Sequence, residues 1–224
     1  MKMRQKFFLS AALVVVCFPV ANSHAVALGQ IDIFQSSGTA NWTSGAANSN
    51  PPTLLLGHGP SGSGDPALAI TSTGTSGAGS KLVAFNKTQW TGDYTAAGIR
   101  GISMDLHNVG NNPLNVRLAI NGSGGKFSTT SAIALAAQSG WTSATLSTEA
   151  GDWTAVSGGT DIAATLAGIT EVRLLSAAAP NWQGDTVAAE LHVDNIRIVP
   201  EPTTLGLLVI AALCCLRPGR SVQR

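Results

Sequence analysis

The residues best fitted to chemistry in this chain are aromatic rings set beside amides and carboxylates. Between Leu28 and Val199 stand five Trp, one Tyr and three Phe. Trp42, Trp90, Tyr94, Trp153 and Trp182 fall in turn-rich strings (NWTSG, QWTGDY, GDWTAV, NWQGD), while Trp141 opens an apolar run. A sugar ring presents an apolar C–H face that stacks on a flat indole, and its hydroxyls find Asn, Gln and Asp alongside. Trp90, Tyr94 and Trp182 are therefore the candidate ligand contacts. The competing use of the same residues is structural, because a bulky ring pins a loop to a small core.

Motifs for catalysis are missing. Gly57-His58-Gly59-Pro60-Ser61-Gly62 fits the spelling G-x-G-x-x-G, but Ser63-Gly64-Asp65-Pro66 follows where a phosphate-binding helix should begin. Gly125-Lys126 lacks the flanking Gly and Ser/Thr of a P-loop. There is no G-x-S-x-G elbow and no H-E-x-x-H pair. His58, His107 and His192 show no metal-ligand spacing, and His107 and His192 fall at polar strand positions that predict solvent-facing rings. Asp93, Asp105, Glu149, Asp152, Asp185 and Glu190 are scattered, and no spacing singles out a glycosidase pair. Cys17, Cys214 and Cys215 all lie near the ends, so the middle has neither a disulfide nor a thiol nucleophile. No residue is assigned a catalytic role.

The framework that must hold these side chains reads as strands. Only 11% of the 224 residues are charged, against about 25% in an average globular protein. Short apolar runs separated by Gly, Ser, Asn and Pro predict strands at Ile31–Phe34, Thr53–Leu56, Ala67–Thr71, Leu82–Asn86, Arg100–Leu106, Leu114–Ile120, Phe127–Leu135, Trp141–Leu146, Glu171–Leu175 and Val187–Ile198. Leu114, Val116, Leu118 and Ile120 alternate with Asn115, Arg117 and Ala119, the period of a half-buried strand. Asn121-Gly122 predicts a hairpin into the strand at Phe127. Asp161–Ile169 alone reads as a helix. The fold class is all-β, a two-sheet antiparallel β-sandwich of jelly-roll type over 28–199. In the last strand Leu191 and Val193 have one parity and Ile196 and Ile198 the other, so a β-bulge at Asp194-Asn195 is predicted.

That terminal string, LHVDNIRI, resembles the last strand of carbohydrate-binding jelly rolls. The resemblance implies a structural calcium held by Asp194 with a residue of the first strand, where Asp32 is the available carboxylate. The strings GDPALAITSTG, LVAFN, QWTGDY and the terminal Val-Asp-Asn-Ile also resemble a recurring exported domain, which brings no agreed activity.

Both ends read as addresses. Lys2, Arg4 and Lys6 precede an apolar run from Phe7 to Val20; Ser23 and Ala25 fit a cleavage site after Ala25, and Ala25 with Ala27 fit one after Ala27. Residues 1–25 are thus a secretory signal peptide, which makes the Sec export machinery a partner. At the other end an apolar run from Leu205 to Leu216 stops at Arg217. A helix over about 203–216 is short for the ~30 Å hydrocarbon core. Pro200-Glu201-Pro202, this short helix, and Arg217 and Arg220 behind it resemble the PEP-CTERM sorting signal of Gram-negative bacteria. The resemblance covers 200–224. It implies recognition by exosortase, transient anchoring in the inner membrane, and delivery to the cell surface or extracellular matrix.

Between the ends, eleven acids from Asp32 to Asp194 outnumber seven cations, which excludes a nucleic-acid partner. Three functional readings remain. The leading one is an exported, non-catalytic surface or matrix protein that binds polysaccharide through loop aromatics. The others are a purely structural matrix or adhesion component and a secreted carbohydrate-active hydrolase.

Overall fold

The computed structural model describes residues 25–201 except 36, 37, 46, 47 and 49. The expected leader and the tail helix at about 203–216 lie outside the described residues. Among those described, no helix is long and apolar enough to cross a membrane.

Twelve strands form two antiparallel sheets packed face to face. They are β1 (Ile31–Asp32), β2 (Thr53–Leu55), β3 (Ala67–Thr73), β4 (Val83–Asn86), β5 (Ile99–Asn108), β6 (Leu114–Gly122), β7 (Gly125–Thr129), β8 (Ile133–Leu135), β9 (Thr142–Ser147), β10 (Trp153–Val156), β11 (Ile169–Ser176) and β12 (Ala188–Pro200). The first sheet runs β2-β3-β12-β5-β9, with β1 also paired to β12. The second runs β10-β7-β6-β11-β4, with β8 also paired to β6. The expected jelly-roll sandwich is therefore present. One helix, α1 (Ile162–Leu166), falls inside the predicted stretch, and the Asp161 side chain caps it by accepting from the Ala164 N–H at 3.0 Å.

Alternation builds the interior. Leu114, Val116, Leu118 and Ile120 of β6 face Val172 and Leu174 of β11 and the inward residues of the opposite sheet, all buried. Each such side chain contributes about 1.5–3 kcal/mol when taken out of water. The register shift in β12 occurs between Asp194 and Arg197, and Asn195 adopts φ 50°. It returns Ile196 and Ile198 to the core beside Leu191 and Val193, as the parity break predicts.

Three local expectations differ. The run Phe127–Leu135 is two strands, because β7 pairs with the end of β6 and β8 with its beginning. Arg117 takes the carbonyls of Thr129 and Thr130, at 2.7 and 2.8 Å, where the chain breaks between them. Strand β10 holds Trp153, which the sequence placed in a loop. The β6–β7 turn is Ser123-Gly124, two residues beyond Asn121-Gly122, which are the last paired residues of β6. Gly124 is required there, since a Cβ would lie 1.8 Å from the Asp161 carbonyl.

Candidate functional site

The outward side of the second sheet carries a cleft of about 340 Å³. Its floor is Val83 and Phe85 of β4 and Arg173 of β11, which share the outward parity. One wall is made by Ser44, Gly45 and Asn48, next to a bridge between Thr43 and Phe85 that holds this segment to β4. Another is the turn Gly77–Lys81, and a third is Trp182 and Gln183 from the loop after β11. A second depression, of about 460 Å³, lies beyond, and shares Trp182 and Gln183 as a common wall. Both volumes lie in the range of small-ligand sites, roughly 300–1,000 Å³.

Trp182 is held from several directions. It packs on Ala119 and Leu175, which have outward parity yet are buried because this ring covers them. The Arg173 guanidinium stacks on the indole at 3.9 Å from the ring centre, and the Lys126 ammonium lies 5.0 Å away. Arg173 is itself fixed by its Nε donating to Glu171 at 2.6 Å and its Nη1 donating to the Trp182 carbonyl at 3.1 Å. Arg117, also of outward parity, donates to four backbone carbonyls and anchors the loop that carries Trp182.

The three candidate aromatics do not share a site. Trp182 is at the cleft and is 8% exposed. Trp90 and Tyr94 are 0% and 1% exposed, which corrects their reading as loop contacts. The reason is a buried carboxylate: Asp32 accepts from Trp90 Nε1 at 2.7 Å and from Trp42 Nε1 at 2.9 Å. The Tyr94 hydroxyl donates to the Trp90 carbonyl at 2.9 Å, and burial drives its ionisation far up. With their polar ends satisfied, these rings turn inward as core.

Asp32 does not meet Asp194. Asp32 lies opposite core-facing Ile196, and Asp194 lies opposite outward-facing Asp105, so the two carboxylates are on opposite faces of the first sheet. They do not fit one calcium ion. Burial raises the Asp32 pKa, and the bonds from Trp90, Trp42 and Gln89 oppose that rise. Among the described residues, no group of three or more His, Cys, Asp or Glu is arranged to hold a metal.

Sequence reading missed the assembly on the outward side of the first sheet. His192 and His107 are cross-strand partners with ring centres 5.6 Å apart, and His58 from the β2–β3 loop lies 5.6 Å from His192. Their strand parity is outward as expected, but His192 is 3% exposed because that loop covers it. Glu190 Oε1 lies 2.8 Å from His192 Nε2, and Trp141 is 5.4 Å from His107. Burial pushes the His107 pKa down, helped by the neighbouring His192 and His58 and opposed by Glu190. Asp194 is pushed up to about 6, mainly by burial, with Asp65 and Asp105 adding and a backbone N–H bond from Asn195 opposing. The separation of His58 from His192 along the chain leaves no local signal for this grouping.

Pro200 extends β12 opposite Ile99. Glu201 donates its N–H to the Gly98 carbonyl at 2.8 Å, and its carboxylate meets Arg100 at 2.5 Å. Pro202, Arg217 and Arg220, the rest of the expected sorting motif, lie outside the described residues.

No family model matches the chain, and no curated protein matches it significantly. Solved structures are similar in fold. An exo-beta-agarase aligns with a TM-score of 0.55 at 16% identity, over 78% of this chain and 25% of the agarase chain. A family 11 carbohydrate-binding module from Clostridium thermocellum, in complex with a beta-1,3-1,4-mixed-linked tetrasaccharide, aligns with a TM-score of 0.52 at 18% identity. That alignment covers 78% of this chain and 98% of the module. At such identities the likeness is one of fold.

Proposed function

We propose that this chain is an exported, non-catalytic glycan-binding protein whose binding face is the outward side of the second sheet. The observation that carries the reading is the lining of the two adjoining clefts. An apolar floor of Val83 and Phe85 is ringed by Ser44, Asn48, Lys81, Arg173 and Gln183, an amphipathic surface suited to a sugar's C–H face and hydroxyls. Among the described residues, no Asp, Glu or His lines either cleft, so the described lining offers no acid–base pair for glycoside cleavage. The hydrolase reading therefore gains no support at this face. The fold shared with a module bound to a tetrasaccharide supports the same reading. The N-terminal leader, and the PEP-CTERM-like tail with Pro200, Glu201, Pro202, Arg217 and Arg220, support Sec export, passage through the inner membrane and handling by exosortase. Mass spectrometry of both ends of the native protein tests that route, and a mature chain still running from Met1 to Arg224 would overturn it.

Binding is tested by affinity electrophoresis through gels containing a panel of polysaccharides. Ala78 is exposed and lines the cleft. Ala78→Trp should fill the cleft and lower retention about tenfold or more, with the unfolding midpoint unchanged. Retention equal to wild type would remove the cleft from the binding face. No retention by any polysaccharide would remove glycan binding itself, leaving a structural matrix component.

A further inference from the structure

Charge in this nearly neutral chain is sorted by sheet. Asp65, Asp105, Glu190 and Asp194 gather on the outward side of the first sheet, where Arg197 is the cation of matching parity. The outward side of the second sheet carries Lys81, Lys87, Arg117, Lys126 and Arg173, five of the seven cations between Leu28 and Val199. The acids against them are largely spent. Glu171 is shared by Arg173 and Lys87, at 2.6 and 3.3 Å, and Asp185 accepts from the Ala178 N–H at 2.7 Å. Arg117 is committed to backbone carbonyls. Among the described residues, neither Lys81 nor Lys126 has a carboxylate within ion-pair distance. Lys81 Nζ reaches only Gln183 Oε1, at 3.5 Å. The second terminal nitrogen of Arg173 makes no hydrogen bond among the described residues, although the rest of that side chain is fixed.

The aromatic side of the cleft is used up by comparison. Trp182 rests on Ala119 and Leu175 and is stacked by Arg173, and Phe85 has Lys87 and Arg173 at 5.0 and 5.3 Å from its ring centre. The half-buried floor of Val83 and Phe85 can still meet a sugar's C–H face, but each ring at the cleft already has a cation beside it. What remains is positive: Lys81 and the fixed Arg173 line the first depression, and Lys126 is paired with Val156 and lies over Trp182, both of which line the second. We propose that the ligand of this face is an anionic glycan, one bearing uronate carboxylates or sulfate esters, held by Lys81, Lys126 and Arg173. The proposal rests on the glycan-binding reading above and names its substrate class. The middle of the chain is net acidic, so capture of a polyanion would not follow from bulk charge and must come from this one face.

The test compares polygalacturonate and dextran sulfate with neutral mixed-linked β-glucan and agarose in affinity gels, using the mature protein and a Lys81→Gln/Lys126→Gln variant. The expected result is retention by one or both polyanions that weakens on raising salt from about 0.05 M to about 0.5 M. The variant should bind about tenfold or more weakly, the loss expected for charge-assisted contacts, with an unchanged unfolding midpoint. Selectivity between the two polyanions distinguishes carboxylate from sulfate recognition. Retention by neutral glycans that is equal and salt-insensitive would overturn the proposal and leave glycan binding standing. Retention by none would overturn both. Competition by poly-glutamate as strong as by polygalacturonate would overturn the proposal in favour of an acidic peptide.

Discussion

Asp32 shows how one carboxylate decides what the surrounding aromatics do. Two indole N–H groups from Trp42 and Trp90 converge on it from different segments, and all three residues are buried. Replacing Asp32 with Ala would leave two buried donors without acceptors, each costing about 1–3 kcal/mol. We expect Asp32→Ala to lower stability by about 2–5 kcal/mol in urea denaturation, and a loss below 1 kcal/mol would show that water readily replaces the carboxylate. Trp182 differs in kind. Its ring is the apolar plate on which Arg173 is held at 3.9 Å, so its effect on binding is exerted through the guanidinium. Trp182→Phe should keep the apolar cover over Ala119 and Leu175 yet weaken glycan retention several-fold, because a smaller ring stacks less well against a cation.

Strand β12 is the element on which both faces of the first sheet depend. Its bulge needs a residue at φ 50°, a conformation Asn tolerates and β-branched residues do not. Asn195 also donates to Asp105 Oδ2 at 2.8 Å. Asn195→Val should therefore cost about 1–3 kcal/mol, while Asn195→Gly should cost less; thermal unfolding of the pair checks this. The neighbouring Asp194 makes stability depend on pH. Its folded pKa, about 6, lies above the unfolded value of 3.8, so the native state binds more protons between those limits. Its contribution is full at low pH and is lost as pH rises through about 4–6. His107 acts oppositely, because its folded pKa is depressed and native stability falls as pH drops below 6.5. Asp194→Asn isolates the first effect: the variant should match wild type near pH 4 and exceed it by about 1–2 kcal/mol at pH 7.5. A difference that does not change with pH would mean that folding leaves the Asp194 pKa where it is in the unfolded chain. Asp65 and Asp105, the carboxylates that act on it, and the group of His58, His107, His192 and Glu190 on the same side of the sheet remain in place in both proteins.

The sandwich as a whole keeps its two outer surfaces chemically distinct. An acidic and imidazole-rich face is closed by the β2–β3 loop, and a basic face is left with open clefts. Strands far apart in the chain make this sorting: Lys81 enters beside β4, Lys126 on β7 and Arg173 on β11, and only their pairing order makes them neighbours. The described domain contains no Cys, so its stability is that of its packed core. A reducing agent should leave the unfolding midpoint of the described domain, residues 25–201, unchanged, and a shift would point to cross-linking through some other route.

Local chemistry already contained the two-layer antiparallel architecture, because period-two burial and dense turn residues are properties of short segments. It also contained the β12 bulge, since a parity break between Val193 and Ile196 has one economical remedy. The same alternation labelled Arg117 and Ala119 as an open polar face, and there it fell short: the loop bearing Trp182 folds over them. Indole and imidazole are amphipathic, so their neighbours in sequence do not say which way they turn. Whether Trp90 faced a ligand or the core depended on Asp32, and whether His192 faced solvent depended on a loop from elsewhere in the chain. Burial and charge clustering are sums over strands brought together by long-range pairing, and no stretch of sequence carries that sum.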